Sequence, residues 1–264
     1  MSERVAKVYD IEGTETGQVT LPRVFSTEFR PDIIRKAVIA LQSHRLQPKG
    51  RDPMAGKRTT AESFGVGRAL ARVPRVKGER HQRAGSAAFA PSTVKGRVTH
   101  PPRVERTLRK RINRKERMTA LFSAIAATAS KDLVQRRGHM VDDVQSFPLV
   151  VSDQVQDLTR TPDVRNLLAK LGVMKDLERA RDREKSLSGK SRMRGKAKRF
   201  GVGPLVVIGE DKGISKAARN LVGVDVVEAK NLNVQLLAPG TDAGRLTLWS
   251  ESALKVIDQF YSRR

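Results

Sequence analysis

The chain has no cysteine. That excludes a disulfide framework, a thiolate metal site and a cysteine nucleophile, and it agrees with a reducing compartment. Long apolar runs are also missing. Nothing approaches the roughly 18 residues of a membrane-spanning helix, and the opening MSERVAKVYD has no apolar signal core, so a soluble, intracellular protein is expected. Aromatic residues make up 4% of the chain. Between Lys49 and Pro102 they are Phe64 and Phe89 alone, too few for a platform on which successive bases stack. The histidines His44, His81, His100 and His139 form no pair at helical spacing. A metal site would need ligands gathered from remote segments, and all four read as polar surface or RNA-facing residues.

Acids are scarce as well: 28 Asp and Glu stand against 52 Lys and Arg, a formal net charge of +24. Such a surplus pushes a compact chain apart unless a polyanion supplies counter-charge, and nucleic acid is the first candidate. The surplus is local. Between Arg45 and Arg117 there are 21 Lys and Arg against five acids (Asp52, Glu62, Glu79, Glu105 and Glu116), which accounts for 16 of the 24 charges. A second run, KSLSGKSRMRGKAKR from Lys185 to Arg199, contains no acid.

What remains is ordinary in composition. At 264 residues and 38% hydrophobic content the chain can build a sizeable core in one or two domains. Pro31 suits a first helical position, and Ile33, Ile34, Ala37, Val38 and Leu41 recur on one helical face. Helix is expected from Glu105 to about Ala127, with an apolar stripe (Met118, Leu121, Phe122, Ile125) in its second half only. Thr161-Pro162-Asp163 predicts a helix start capped by the threonine hydroxyl, followed by the stripe Val164, Leu167, Leu168 and Leu171. Short continuous apolar runs at Leu149 to Val151, Leu205 to Ile208, Val224 to Val227 and Leu246 to Trp249 suit parallel strands buried on both faces. From Pro204 strands alternate with helices, at Ile214 to Asn220, near Leu232, and around Ala253, Val256, Ile257 and Phe260. The fold class is therefore α/β, a mainly parallel sheet with helices on its faces, plus a long extended basic loop.

That loop is rich in glycine and proline and lacks sustained periodicity. The stretch RALARVPRVKGERHQRAG, Arg68 to Gly85, holds Leu70, Val73 and Val76 at no regular period and cannot build a core of its own. A structureless segment of this length is functional or disordered. Both basic runs are internal and tethered at each end to core elements, which presents them as loops to a polyanion. There each neutralised phosphate releases counterions, and arginine adds bidentate contacts. Folded RNA, contacted through backbone and shape, is the expected partner.

The patterns that suggest catalysis are weak. Gly65-Val66-Gly67 lacks a third glycine and a preceding strand. GKS at Gly189 to Ser191 has no glycine where a phosphate-binding loop would begin. GEDKGISK, Gly209 to Lys216, has one residue too few between its glycines and reads as a strand-to-helix turn capped by polar residues. No serine stands in a nucleophile elbow, and Asp142-Asp143 lie beside no candidate base. No enzymatic activity and no cofactor are expected.

The stretches TTAESFGVGRALARVPRVKG (Thr59 to Gly78), KGRVTHPP (Lys95 to Pro102), ARNLVGVDVVEAKNLNVQLLAPG (Ala218 to Gly240) and GRLTLWSESAL (Gly244 to Leu254) occur in that order. Together they closely resemble large-subunit ribosomal protein four, the universal L-four family, in its archaeal and eukaryotic form. The resemblance runs over essentially the whole chain. It implies a globular α/β domain in residues 1–48 and 102–264, an rRNA-penetrating loop in 49–101, and a second RNA-contacting segment in 185–203. It implies a cytoplasmic structural constituent of the large ribosomal subunit. Its partners would be large-subunit rRNA, neighbouring proteins including protein twenty-two at the peptide exit tunnel, and the nascent polypeptide, with no membrane. By the same resemblance the tunnel-lining residues are Arg72, Val73, Pro74, Arg75, Lys77 and Arg80. The rRNA-binding residues are Lys49, Arg51, Lys57, Arg58, Arg68, Arg83, Lys95, Arg97 and Arg103, and in the second run Lys190, Arg192, Arg194, Lys196, Lys198 and Arg199. RNA would supply the loop's partner surface and counter-charge, so the loop is expected to order on binding. The rivals are an architectural DNA- or RNA-binding protein outside the ribosome, and a nucleotide-dependent or RNA-modifying enzyme with its ligand near Gly209 to Gly213.

Overall fold

A computed structural model describes residues 4–262. Contacts divide the chain into two compact units, one made of the stretches up to Gln42 and from Arg111 onward, the other of Ser43–Lys110.

In chain order the elements are β1 (Val5–Tyr9), β2 (Glu15–Thr20), α1 (Pro31–Ser43), β3 (Ala61–Glu62), β4 (Arg75–Val76), α2 (Arg114–Thr128), α3 (Lys131–Arg137), β5 (Leu149–Val151), α4 (Thr161–Lys170), α5 (Met174–Asp182), β6 (Lys185–Ser186), α6 (Gly189–Met193), β7 (Lys198–Arg199), β8 (Leu205–Ile208), α7 (Ile214–Ala218), β9 (Asp225–Glu228), α8 (Val234–Leu237), β10 (Thr247–Ser250) and α9 (Glu251–Ser262). Among the described residues, six strands form the central sheet of the first unit in the order β2-β1-β5-β10-β8-β9. Only the β1–β2 pair is antiparallel.

Successive strand residues face opposite sides, and here both sides carry a core. Val8, Val150, Val207 and Trp249 pack with α1, α2, α8 and α9. Tyr9, Leu149, Val151, Val206, Ile208 and Leu248 pack with α3, α4, α5 and α7. Every residue of β8 and β10 is buried, which is why these runs read as unbroken apolar stretches rather than alternating ones. Trp249 meets Phe25 edge to face, centroids 5.4 Å apart at 81°, a geometry worth about 1 kcal/mol beyond the area it buries.

The mainly parallel α/β architecture is as expected, with four differences in detail. The hairpin of β1 and β2 was not anticipated: β2 is almost wholly exposed and carries no apolar period. The helix expected from Glu105 begins at Arg114. Arg106 repels Arg109 and Lys110 at helical spacing, and without an apolar stripe no packing offsets that cost. Thr161 is itself helical and does not cap α4; its hydroxyl donates to the Ala217 carbonyl at 2.8 Å, tying α4 to α7. The strands expected at Val224 to Val227 and Leu246 to Trp249 lie one residue later, at Asp225–Glu228 and Thr247–Ser250.

The second unit has no helix of its own beyond Ser43. Its backbone is satisfied by turns and a short antiparallel ladder. Ala61 pairs with Val76 and Glu62 with Arg75, while a bridge joins Arg75 to Ala87. The Val76 amide donates to Ser86, Gly85 to Val76, and Ala88 to Pro74. Val76 and Ala88 are buried, so this stretch has a small apolar anchor where the sequence suggested none.

Candidate nucleic-acid interface

In the second unit, Lys49, Arg51, Lys57, Arg58, Arg68, Arg83, Lys95 and Arg103 are exposed and Arg97 is half-buried. Two basic residues of the unit already hold acids: Arg58 bonds Asp52 and Lys77 bonds Glu62. These contacts hold both carboxyls below their usual range. The Arg68 guanidinium stands 5.5 Å from the Phe64 ring centroid, within cation–π range.

The six residues expected at the tunnel divide into two groups. Arg72, Lys77 and Arg80 are exposed, whereas Val73, Pro74 and Arg75 are half-buried leading into β4. Arg75 donates from Nη1 to the Gly85 carbonyl at 2.9 Å, so it braces the turn that follows β4. The Ser63 hydroxyl donates to the Arg72 carbonyl at 3.0 Å, which fixes the backbone from which that exposed side chain projects.

In the first unit the second basic run is a ribbon with a one-turn helix at its end. Strand β6 pairs with β7, Lys185 opposite Arg199 and Ser186 opposite Lys198. Lys190, Arg192, Arg194, Lys196, Lys198 and Arg199 are all exposed, and Lys198 holds Glu184 at 2.5 Å. GKS opens α6, behind a two-residue ribbon strand rather than a buried strand.

Beside this ribbon is a buried polar cluster that sequence reasoning missed. His44, His81 and His100 are exposed, but His139 is 4% exposed, which corrects its surface assignment. Its Nδ1 faces Asp176 Oδ2 at 2.9 Å. The other carboxylate oxygen accepts from the Met140 amide at 3.1 Å and from Arg179 Nε at 2.8 Å. Burial pushes His139 down, outweighing the pull of Asp176. Burial also pushes Asp176 up, but hydrogen bonds from His139 and Arg179 outweigh it and hold the carboxyl below its usual range. At neutral pH the pair is thus a neutral imidazole donating through Nδ1–H to a carboxylate, not two opposite charges. Nearby, burial together with Arg245 and Arg179 lowers Arg137 to about 10.

At the carboxyl ends of the parallel strands, polar groups bond to one another. Asp211 Oδ1 accepts from the Gly213 and Ser215 amides at 3.0 and 3.3 Å, the expected polar cap of Gly209 to Lys216. Gln156 donates to Asp153 at 2.9 Å and to Ser252 at 2.5 Å, and a Cβ at Gly209 would meet Ser252 Oγ at 2.4 Å. A groove of about 820 Å³ between β2 and α9 mixes Arg4, Arg23 and Lys255 with Glu251 and Asp258, and its mixed sign sets it apart from the basic surfaces. Among the described residues no three His, Asp or Glu are placed to hold a metal, and no helix is long and apolar enough to cross a membrane.

Comparison with known proteins bears on what these surfaces serve. The profile described as Ribosomal protein L4/L1 family matches residues 19–260. Two archaeal proteins named large ribosomal subunit protein uL4 align along almost the full length. That of Methanosphaera stadtmanae is 49% identical over 256 residues, covering 97% of this chain and 97% of its own. That of Saccharolobus islandicus strain L.S.2.15 is 46% identical over 258 residues, covering 97% of this chain and 95% of its own. With a sheet buried on both faces, two exposed basic segments and likeness of this extent, the chain belongs to the Ribosomal protein L4/L1 family.

Proposed function

We propose that this protein is a structural constituent of the large ribosomal subunit in the cytoplasm, without enzymatic activity, and that it binds large-subunit rRNA through its two basic segments. One observation carries the reading: the segment Ser43–Lys110, with 17 Lys and Arg against four acids, is held by turns and two-residue strands rather than a large core. Such a segment has its charge spread over exposed side chains and gains most from a polyanion that surrounds it. The names of the relatives support the same assignment. Residues 49–101 act as the rRNA-penetrating loop, and its tip, through Arg72, Lys77 and Arg80 with Val73, Pro74 and Arg75 behind them, helps form the peptide exit tunnel beside protein twenty-two and the nascent chain.

The test is sucrose-gradient fractionation of native extract after a high-salt wash, with the protein located by mass spectrometry. Retention in the large-subunit fraction is expected. Migration to the top of the gradient, or with DNA, would replace this reading with that of an architectural protein outside the ribosome. A photo-crosslinking amino acid at Arg80 then checks the tip, expected to capture nascent peptide in stalled complexes.

A further inference from the structure

A cleft of about 480 Å³ opens in the first unit, lined by Arg137, Arg179, Arg183, Lys185, Arg199 and Phe200 among others. Five of these six residues are cationic. Asp176, the carboxylate beside them, is fully buried and engaged by His139 and Arg179, and Glu184 is held by Lys198. Among the described residues the side chains of Arg183, Lys185 and Arg199 enter no ion pair.

The ribbon sharpens the point. Lys185 and Arg199 stand directly opposite each other, and like charges in that relation destabilise a strand pair. A two-residue ladder has little else to hold it. An anion between the two side chains turns the repulsion into a clamp.

The cleft wall is fixed and carries one flat apolar surface. Arg179 donates to the Val202 carbonyl at 2.7 Å, and the Gly201 amide donates to Ala180 at 3.0 Å, so the backbone on the carboxyl side of Phe200 is bound to α5. Phe200 is 42% exposed. A cleft of this volume fits a small ligand and is too small for a duplex. Folded RNA is read at unstacked positions by stacking a base on an aromatic side chain while cations hold the backbone.

We propose that this cleft receives a single unstacked nucleotide of a folded RNA, its phosphate held by Arg183, Lys185 and Arg199 and its base laid on the Phe200 ring. The proposal rests on the RNA-binding reading above and adds a specific receptor for one extruded nucleotide.

The test compares two hairpin RNAs that differ only by one bulged 5-iodouridine, each titrated with the full-length chain. The bulged hairpin is expected to bind about tenfold tighter, as one base stack would give. Long-wavelength irradiation should crosslink the iodouridine to Phe200, as read by mass spectrometry. Phe200→Ala should abolish both the crosslink and the preference, and Phe200→Tyr should restore the preference. The double variant Lys185→Gln, Arg199→Gln should lower the salt dependence of binding to the bulged hairpin by about one phosphate contact. Equal binding of both hairpins with no crosslink at Phe200 overturns the cleft proposal while the RNA-binding reading stands. Failure to bind either hairpin overturns both.

Discussion

Arg245 and Asp225 meet at 2.6 Å with unequal stakes: the arginine side chain is 1% exposed and the aspartate side chain 56%. The guanidinium also donates to the carbonyls of Gly203 at 2.8 Å and Leu236 at 3.1 Å, and to Pro204 and Gly223 at 3.3 Å each. It thereby ties the lead-ins to β8, β9 and β10 to the end of α8. Arg245→Met would leave the Gly203 and Leu236 carbonyls without this donor, while Pro204 and Gly223 keep the Asp225 and Gly203 amides; the expected cost is about 3 kcal/mol. Asp225→Asn keeps an acceptor at an exposed site and should cost less than about 1 kcal/mol. Urea denaturation followed by circular dichroism decides; similar losses for the two would contradict the view that the backbone carbonyls dominate.

Acid should weaken the first unit through His139. Folding holds this imidazole below its ordinary value of 6.5, so the unfolded chain binds the proton first as pH falls. The contribution is intact above that value and is lost as pH drops through the lower, folded one. Asp176, also held below its ordinary 3.8, adds a second loss at still lower pH, with the same sign. The melting temperature should therefore be flat above about pH 7 and fall on acidification, with the first step missing in His139→Asn. A wild-type profile unchanged down to the carboxylate range would refute the assignment. Asp176→Ala, which strands both partners, should cost about 3 to 5 kcal/mol at any neutral pH.

Gly172 follows α4 with φ of +75°, and a Cβ there would lie 2.3 Å from the Asp143 carbonyl oxygen. Gly172→Ala should lose about 1 to 3 kcal/mol, seen as a lower urea midpoint with an unchanged slope. An alanine variant as stable as the parent would mean the Asp143 segment yields freely.

Salt titration of RNA binding should separate free cations from paired ones. Lys57→Gln and Arg83→Gln should each flatten the dependence of log affinity on log salt by up to about 0.9, the value for one phosphate contact. Arg58→Gln and Lys77→Gln should flatten it less, because Asp52 and Glu62 already neutralise those groups. Equal effects across the four would show that the acids release their partners to RNA.

Much of the first unit was legible because burial leaves a pattern in side chains. Leu205 to Ile208 reads as a strand because both faces of the sheet are covered, and Ile34, Ala37 and Val38 mark α1 by their spacing. Strand β2 left no such trace; its pairing with β1 is made by backbone groups that every residue carries. The His139–Asp176 contact joins positions 37 apart in sequence, and neither residue has a neighbour that announces it. Thr161 looked like a cap because local chemistry allows it, yet Ala217, 56 residues away, takes its hydroxyl. Charge was the easiest feature to read, since a cation needs no partner to be counted. Which cations are already spent on Asp52, Glu62 and Glu184 depends on tertiary contacts that composition does not contain.

The chain's one tryptophan, Trp249, sits at zero exposure in β10, its indole nitrogen without a hydrogen-bond partner. Residues Ser43–Lys110 contain neither tryptophan nor tyrosine. Intrinsic indole emission is therefore a private channel for the sheet: it should shift to the red when the core melts and give no direct signal of rearrangements confined to the basic segment. A single optical trace can thus watch the scaffold while a label placed in Ser43–Lys110 watches the basic unit, and the two events can be timed separately in one cuvette.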